Sequence, residues 1–346
     1  MPVTRALREQ AVLRGLDFIY GTAQAPENFK LYGFDYLYSF YCISATSLDA
    51  RLRSLSRTMG RERARQWRAE NSSLPDEIDA DIIAEFAFAS LSADRLGIRD
   101  SALKHELRKA ARRFAPPDYF WFDPATEPPP TNVPKECPCG AVSARGSSVC
   151  GRCAQPLDLM SRYEVWLVAL IRSYIGERYG VTLGTPYQDV IKWLPQMRPY
   201  CGAASGLTDD FIWSLYAVTH IVYTLSDYCL SRLSPDWLPV EFQYLAQNLP
   251  QAISTDDAEM VGELLDSLKS FGLTAKHRLV REGREYLLSA QNRDGSWGDV
   301  DTDDIYARYH PTLTAVNGLR DHAWKGPRLS FPRLKPVLER WAASTG

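Results

Sequence analysis

The chain has 346 residues, enough for one large domain or two ordinary ones, and its 45% hydrophobic and 24% charged residues are a globular balance that excludes disorder and fibrous repeats. Forty Lys+Arg against 42 Asp+Glu leave a net charge of −2, which argues against a protein whose main work is neutralising nucleic-acid phosphates. Apolar stretches are too short or interrupted for a transmembrane span and the first residues hold no apolar signal core, so the cytoplasm is the expected compartment.

Residues 3–23 carry Leu7, Val12, Leu13, Leu16 and Phe18–Ile19 at helical spacing, and the polar stretch 24–28 closes this first element. A second, very aromatic helix is predicted at 34–55, ended by the basic run 51–57. Helices at 79–96 and 101–114 follow, stopped by Gly97 and by Pro116–Pro117. Residues 116–156 differ: three prolines at 128–130 and the string CPCGAVSARGSSVCGRC are rich in turn residues and almost without periodicity. Beyond them the pattern predicts helices at 161–179, 187–193, 208–230, 239–246, 255–271, 277–291, 311–323 and 332–342. No long stretch alternates with period two. The expected fold is therefore all-α, with helical hairpins over 1–115, a Pro-rich Cys insertion over 116–158 and further hairpins over 159–346.

Four of the seven cysteines fall in Cys137-x-Cys139-x10-Cys150-x2-Cys153. Two close thiolate pairs about a dozen residues apart, with Gly140 and Gly151 placed for tight knuckle turns, are what a tetrahedral Zn²⁺ requires. An iron–sulfur or redox role and unligated thiols are the other readings of the same spacing. Four Cys ligands leave no open position, so this zinc is expected to be structural, stapling a zinc-ribbon-like insertion. Lys135, Arg145 and Arg152 stand beside Glu127 and Glu136, too thin a basic patch for nucleic acid. Cys42, Cys201 and Cys229 read as single core thiols.

Near the C-terminus, Gly283, Tyr286–Leu287, Gln291, Gly295 and Trp297 resemble the QW repeat of squalene–hopene and other triterpene cyclases. The following segment, 310–319, is similar to the inner helix of the same hairpin, and ALRGLDFIYGTAQ near the start looks like a kindred unit. This resemblance implies an α/α toroid, in which Gln caps the outer helix and Trp packs on the next turn. Asp301-Thr302-Asp303-Asp304 spells the Asp-x-Asp-Asp acid motif of class II terpene cyclases, although it lies upstream of the register before Thr314-Ala315-Val316. Asp304 with Tyr309-His310-Pro311-Thr312 is similar to the segment of protein prenyltransferase β-subunits whose His ligates catalytic zinc. The two likenesses together imply cyclase, lyase/isomerase or transferase chemistry.

His220 lies on a ring-lined helix, with Tyr216, Tyr223 and Asp227 on the same face. Each His taken alone reads as a core residue. Together, His220 and His310, on two Tyr-rich helices, suggest a joint site, holding a second metal ion (Zn or Fe) or transferring protons with Asp304, Asp227 and Tyr309. Glu259 and Glu263 at i,i+4 suit a metal site or a general base, but equally Thr255 caps their helix and both are solvated first-turn acids. His105, His277 and His322 sit among Lys and Arg on faces expected to be exposed. The expectation is an enzyme acting on a small, largely apolar substrate, isoprenoid-like or polycyclic, in a ring-lined cavity. A metal-free acid-catalysed cyclase or isomerase and a non-enzymatic helical binding module are the alternatives.

Overall fold

The computed structural model describes residues 4–202 and 207–344. Thr4 accepts the N–H of Leu7 and starts α1 (Arg5–Gln24); residue 3, where the pattern begins, lies outside the described residues. Pro26 opens α2 (Pro26–Thr46), and the Asp49 carboxylate, accepting the Leu52 N–H at 2.8 Å, opens α3 (Ala50–Glu70). The one aromatic helix expected at 34–55 is thus two. Ser47 is extended (φ −69°, ψ 140°) and Asp49 supplies a fresh cap, while the basic run continues α3 instead of ending it.

The remaining helices are α4 (Ala80–Arg95), α5 (Ser101–Ala111), α6 (Pro116–Phe120), α7 (Arg162–Tyr179), α8 (Tyr187–Ile191), α9 (Leu194–Met197) and α10 (Asp209–Ser226), then α11 (Pro239–Ser254), α12 (Ala258–Ser270), α13 (Arg278–Ser289), α14 (Tyr306–Leu319) and α15 (Lys335–Ala343). Among the described residues there is no β-strand, only isolated bridges such as Pro134 with Leu159 and Val149 with Pro156 flanking the cysteines. No helix among them is long and apolar enough to cross a membrane.

By packing, the chain forms two compact units. Unit 1 comprises Met1–Ser73, Phe88–Leu103 and Ile221–Gly346; unit 2 comprises Leu74–Ala87 and Lys104–His220.

In unit 1, α12 is buried on all sides, every residue from Met260 to Ser270 included, and packs on α14, α11 and α13. Its closest approach is at Gly262, where a Cβ would lie 2.5 Å from the Thr314 carbonyl carbon and 2.6 Å from its oxygen, so the backbones of α12 and α14 touch. Helix α1 packs on the other side of α14.

Trp297 and Gln291 tie the segments around α13 together. Trp297 is fully buried and its Nε1 donates to Leu287 O at 2.7 Å, while its backbone N–H donates to Thr312 Oγ1 at 2.9 Å. Gln291 Nε2 donates to Gly295 O at 3.0 Å and to Ala11 O of α1 at 2.9 Å. Asp321 adds an ionic tie, receiving Arg8 and Arg284, each at 2.6 Å. Although burial opposes it, these guanidinium groups hold the Asp321 carboxyl down at about 2.

Helix α14 begins five residues before Pro311, which was expected to open it. Ile305 is the N-cap and makes no side-chain cap bond; Asp304, one residue before it, accepts the Tyr306 N–H at 2.9 Å where the helix starts. Gly298 (φ +88°) packs against the Ala307 carbonyl, which Pro311 leaves without an intrahelical donor. A second departure concerns His322, whose side chain is fully buried, not exposed. Leu48 N–H donates to Asp321 O and Ala323 N–H to Thr46 O, both at 2.7 Å; this pairing turns the His322 ring inward, where it stacks on Trp324.

Unit 2 is built on α7, which Ser161 caps and Gly180 ends in the left-handed conformation. Tyr163, Trp166, Leu170 and Tyr174 of α7 are buried, as are Tyr119, Phe120 and Phe122. Trp166 Nε1 donates to Val190 O at 3.1 Å, and Arg172 joins the Tyr119 carbonyl at 2.8 Å to Asp81 at 2.6 Å.

Candidate functional site

The four clustered cysteines of unit 2 sit on two tight turns. In the first, Gly140 (φ +77°) donates its N–H to Cys137 O at 2.7 Å, and the Cys137 N–H returns to Ala141 O at 3.1 Å. In the second, the Ala154 N–H donates to Cys150 O at 2.9 Å and the Arg152 N–H to Cys150 Sγ at 3.4 Å. The left-handed residue of this second turn is Ala154 (φ +57°), whereas Gly151 was expected to take that part.

The sulfurs of Cys137 and Cys153 are 3.4 Å apart, those of Cys139 and Cys150 3.6 Å, and all four lie within 4.8 Å of one another. A tetrahedron with Zn–S bonds of about 2.3 Å has edges of roughly 3.8 Å, so the set closes on a metal with small adjustment. This cluster could hold a metal such as zinc. Backbone N–H groups of Cys153 and Arg152 draw the Cys150 thiol down to about 6, toward the thiolate that a metal needs. The neighbouring cations are already engaged: Arg145 grips Glu127 through both carboxylate oxygens and Lys135 pairs with Asp209 at 2.9 Å.

Unit 1 carries the second polar site, at the N-terminal end of α12. Here the Asp257 carboxylate caps the helix through the Met260 N–H, while Thr255 donates to Ala252 O and so closes α11. Glu259 is a first-turn acid, as expected, but neither it nor Glu263 is fully solvated. Glu263 is 2% exposed, and the half-buried Glu259 places Oε1 3.2 Å from His310 Nδ1.

Tyrosine rings enclose the pair. Tyr306 stacks on the His310 ring at 4.9 Å and 11°, Tyr309 lies edge-on to it, and Tyr36 and Tyr32 pack on Tyr309 at 4.4 and 5.6 Å. The Tyr309 hydroxyl donates to Asp35 Oδ2 in a short hydrogen bond. Burial by itself would depress the His310 pKa, but the carboxylates of Glu259, Asp35 and Glu263 outweigh it and raise the group to about 9. At neutral pH His310 is therefore an imidazolium. The fully buried Tyr309 is pushed well above the usual phenol range by burial and by Asp35.

The other sequence-derived candidates have different settings. Asp304 is exposed just before α14 and accepts the Tyr306 N–H. Asp227 is buried, in a left-handed conformation, and pairs with Arg95 at 3.6 Å. His220 belongs to unit 2, and its Nδ1 lies 2.9 Å from Tyr216 O, to which it donates. Asp35 was missed by sequence reasoning. Its signal is a lone carboxylate inside the ring-rich string GFDYLYSFY, where the only charge among apolar neighbours asks for a buried partner.

The chain matches no family model, no curated protein and no solved structure, so the functional reading rests on this geometry.

Proposed function

We propose that this chain is an enzyme of small-molecule metabolism that transforms a largely apolar substrate by proton transfer at His310 and Glu259. The observation that carries the reading is the imidazolium–carboxylate pair set in a wall of tyrosines: a charged acid–base couple in a ring-lined, poorly hydrated setting is costly for folding and useful for chemistry. An imidazolium with a pKa near 9 is too weak to protonate an isolated alkene. It suits an oxygen that gains charge in the transition state, such as an enolate, a carbonyl or an opening epoxide, with Glu259 as the matching base. Lyase or isomerase chemistry fits this couple better than the alkene protonation of class II terpene cyclases. The exposed Tyr306 would meet an isoprenoid-like or polycyclic skeleton, while Tyr309, buried and donating to Asp35, would hold the ring wall in place.

An α/α toroid is the arrangement proposed for the helices. Support comes from the Gln291 and Trp297 contacts, and from the packing of α1, from the start of the chain, on α14 near its end. In the Pro-rich segment, zinc on Cys137, Cys139, Cys150 and Cys153 would make a ribbon-like staple without catalytic duty, in a reducing compartment such as the cytoplasm where thiols stay available. The net charge of −2 favours a small-molecule partner over nucleic acid.

The test is deuterium incorporation. Purified protein is incubated in heavy water with a metabolite extract of the producing organism, and untargeted mass spectrometry follows which compounds gain mass or disappear. Wild type should label or convert a compound that His310→Gln and Glu259→Gln leave untouched. Equal conversion by both variants defeats the proposal, and a compound retained unchanged in native mass spectrometry would favour the binding-module alternative.

A further inference from the structure

At the end of α12 remote from Glu259, three segments bring together a thiol, a carboxylate and an imidazole: Cys229 beyond α10, Asp266 on α12 and His322 beyond α14. Cys229 Sγ is 3.1 Å from Asp266 Oδ2, and His322 Nε2 is 3.2 Å from Asp266 Oδ1. One ligand atom from each residue lies within 4.8 Å of the other two, and all three residues are buried.

Ordinary core packing does not account for this arrangement. Neither ring nitrogen of His322 makes a hydrogen bond, and Asp266 Oδ1 accepts none, although each lies where water does not reach. Asp227, Tyr228 and Cys229 are all left-handed (φ +57°, +50° and +64°), three successive non-glycine residues in a region that such residues visit singly. That strained turn presents the Cys229 sulfur to the carboxylate, and strain of this kind persists where a site requires it. Lys269 Nζ, anchored on Asn317 O at 2.7 Å and Arg320 O at 2.9 Å, approaches Asp266 Oδ1 at 3.3 Å and fixes the carboxylate's orientation, as outer groups do around metal ligands.

We infer that Cys229, Asp266 and His322 bind a divalent transition-metal ion, with zinc the best match. Magnesium and calcium prefer all-oxygen sites, whereas one sulfur, one oxygen and one nitrogen suit a borderline ion. Binding replaces the Cys229 S–H bond by a sulfur–metal bond and releases that proton to solvent; Asp266 binds as carboxylate and His322 as neutral imidazole. Unlike the four-cysteine cluster, this set leaves one coordination position for a further ligand. None of the three residues is among those that carry the terpenoid-cyclase or prenyltransferase resemblance.

Zinc reconstitution of the intact protein, with removal of free metal and elemental analysis, tests the inference. Wild type should retain two equivalents, and Cys229→Ser, His322→Gln and Cys150→Ser should each retain one. X-ray absorption on the wild-type protein needs no variant to fold: it should show nitrogen and oxygen ligands beside sulfur, and this mixed signal should persist in Cys150→Ser. Zinc ligated by sulfur alone in wild type, or a zinc content unchanged by both Cys229→Ser and His322→Gln, overturns it.

Discussion

His310 and Glu259 face each other at 3.2 Å across α14 and α12, the same two helices whose backbones meet at Gly262 and Thr314. The charge pair and the steric contact are therefore two views of one interface, and a disturbance of either should be felt at the other.

The pair makes stability pH-dependent with a definite sign. The folded pKa of His310 is raised, to about 9 from 6.5, so its contribution is complete below pH 6.5 and is lost as pH rises through 9. On the order of 3 kcal/mol of unfolding free energy should disappear over that window. Glu259→Gln should flatten the dependence and bring the His310 midpoint, followed by NMR of the imidazole protons, back toward 6.5. A midpoint that does not move would mean that another group sets the charge.

Removing a ligand from the four-cysteine cluster should act locally. Cys150→Ser is expected to lose one equivalent of zinc and to open the segment 137–153, read as faster tryptic cleavage at Arg145 and Arg152. Strong chelation of wild type should reproduce the pattern, because turns with almost no apolar anchor derive their order from the metal. Equal cleavage rates with and without metal would contradict this.

Trp297 and Gln291 should separate in magnitude. Trp297→Ala removes a fully buried indole and should cost about 3–5 kcal/mol in denaturant unfolding. Gln291→Ala removes the hydrogen bonds to Ala11 and Gly295 and should cost roughly 1–3 kcal/mol. The reverse order would show that the amide, not the ring, fastens α13 to its neighbours.

Two glycines offer a matched contrast. At Gly262 a methyl group would meet the Thr314 carbonyl, which cannot swing aside as a side chain could, so Gly262→Ala should destabilise by about 3 kcal/mol. Gly21, exposed in α1 with nothing within 4 Å of its position for a Cβ, should gain about 1 kcal/mol from the same change. Thermal denaturation of the two variants side by side checks both.

Helix periodicity carries most of this architecture, and cysteine spacing announces the four-cysteine cluster without help from the fold. Legibility fails where a local cap overrules periodicity. Asp49 splits one expected helix into two, and with Asp304 accepting the Tyr306 N–H, α14 starts early enough to put His310 inside it. Glu259 was visible as half of an i,i+4 pair, but its role depended on whether Thr255 or Asp257 capped α12, a choice between adjacent polar residues that composition does not decide. Cys229, Asp266 and His322 were out of reach for a different reason. They are 37 residues or more apart, since 266 − 229 = 37, and converge only once three helix ends are packed.

The two units also have a consequence for the order of assembly. Unit 2 draws on one nearly continuous middle stretch, whereas unit 1 needs both flanks of the chain. In synthesis α1 is made well before its partners Gln291, Val316 and Asp321. Its face toward those partners waits for them, while the middle stretch can already fold. The surface of α1 that meets α14 is therefore the part of unit 1 that most needs shielding from aggregation until that helix is made.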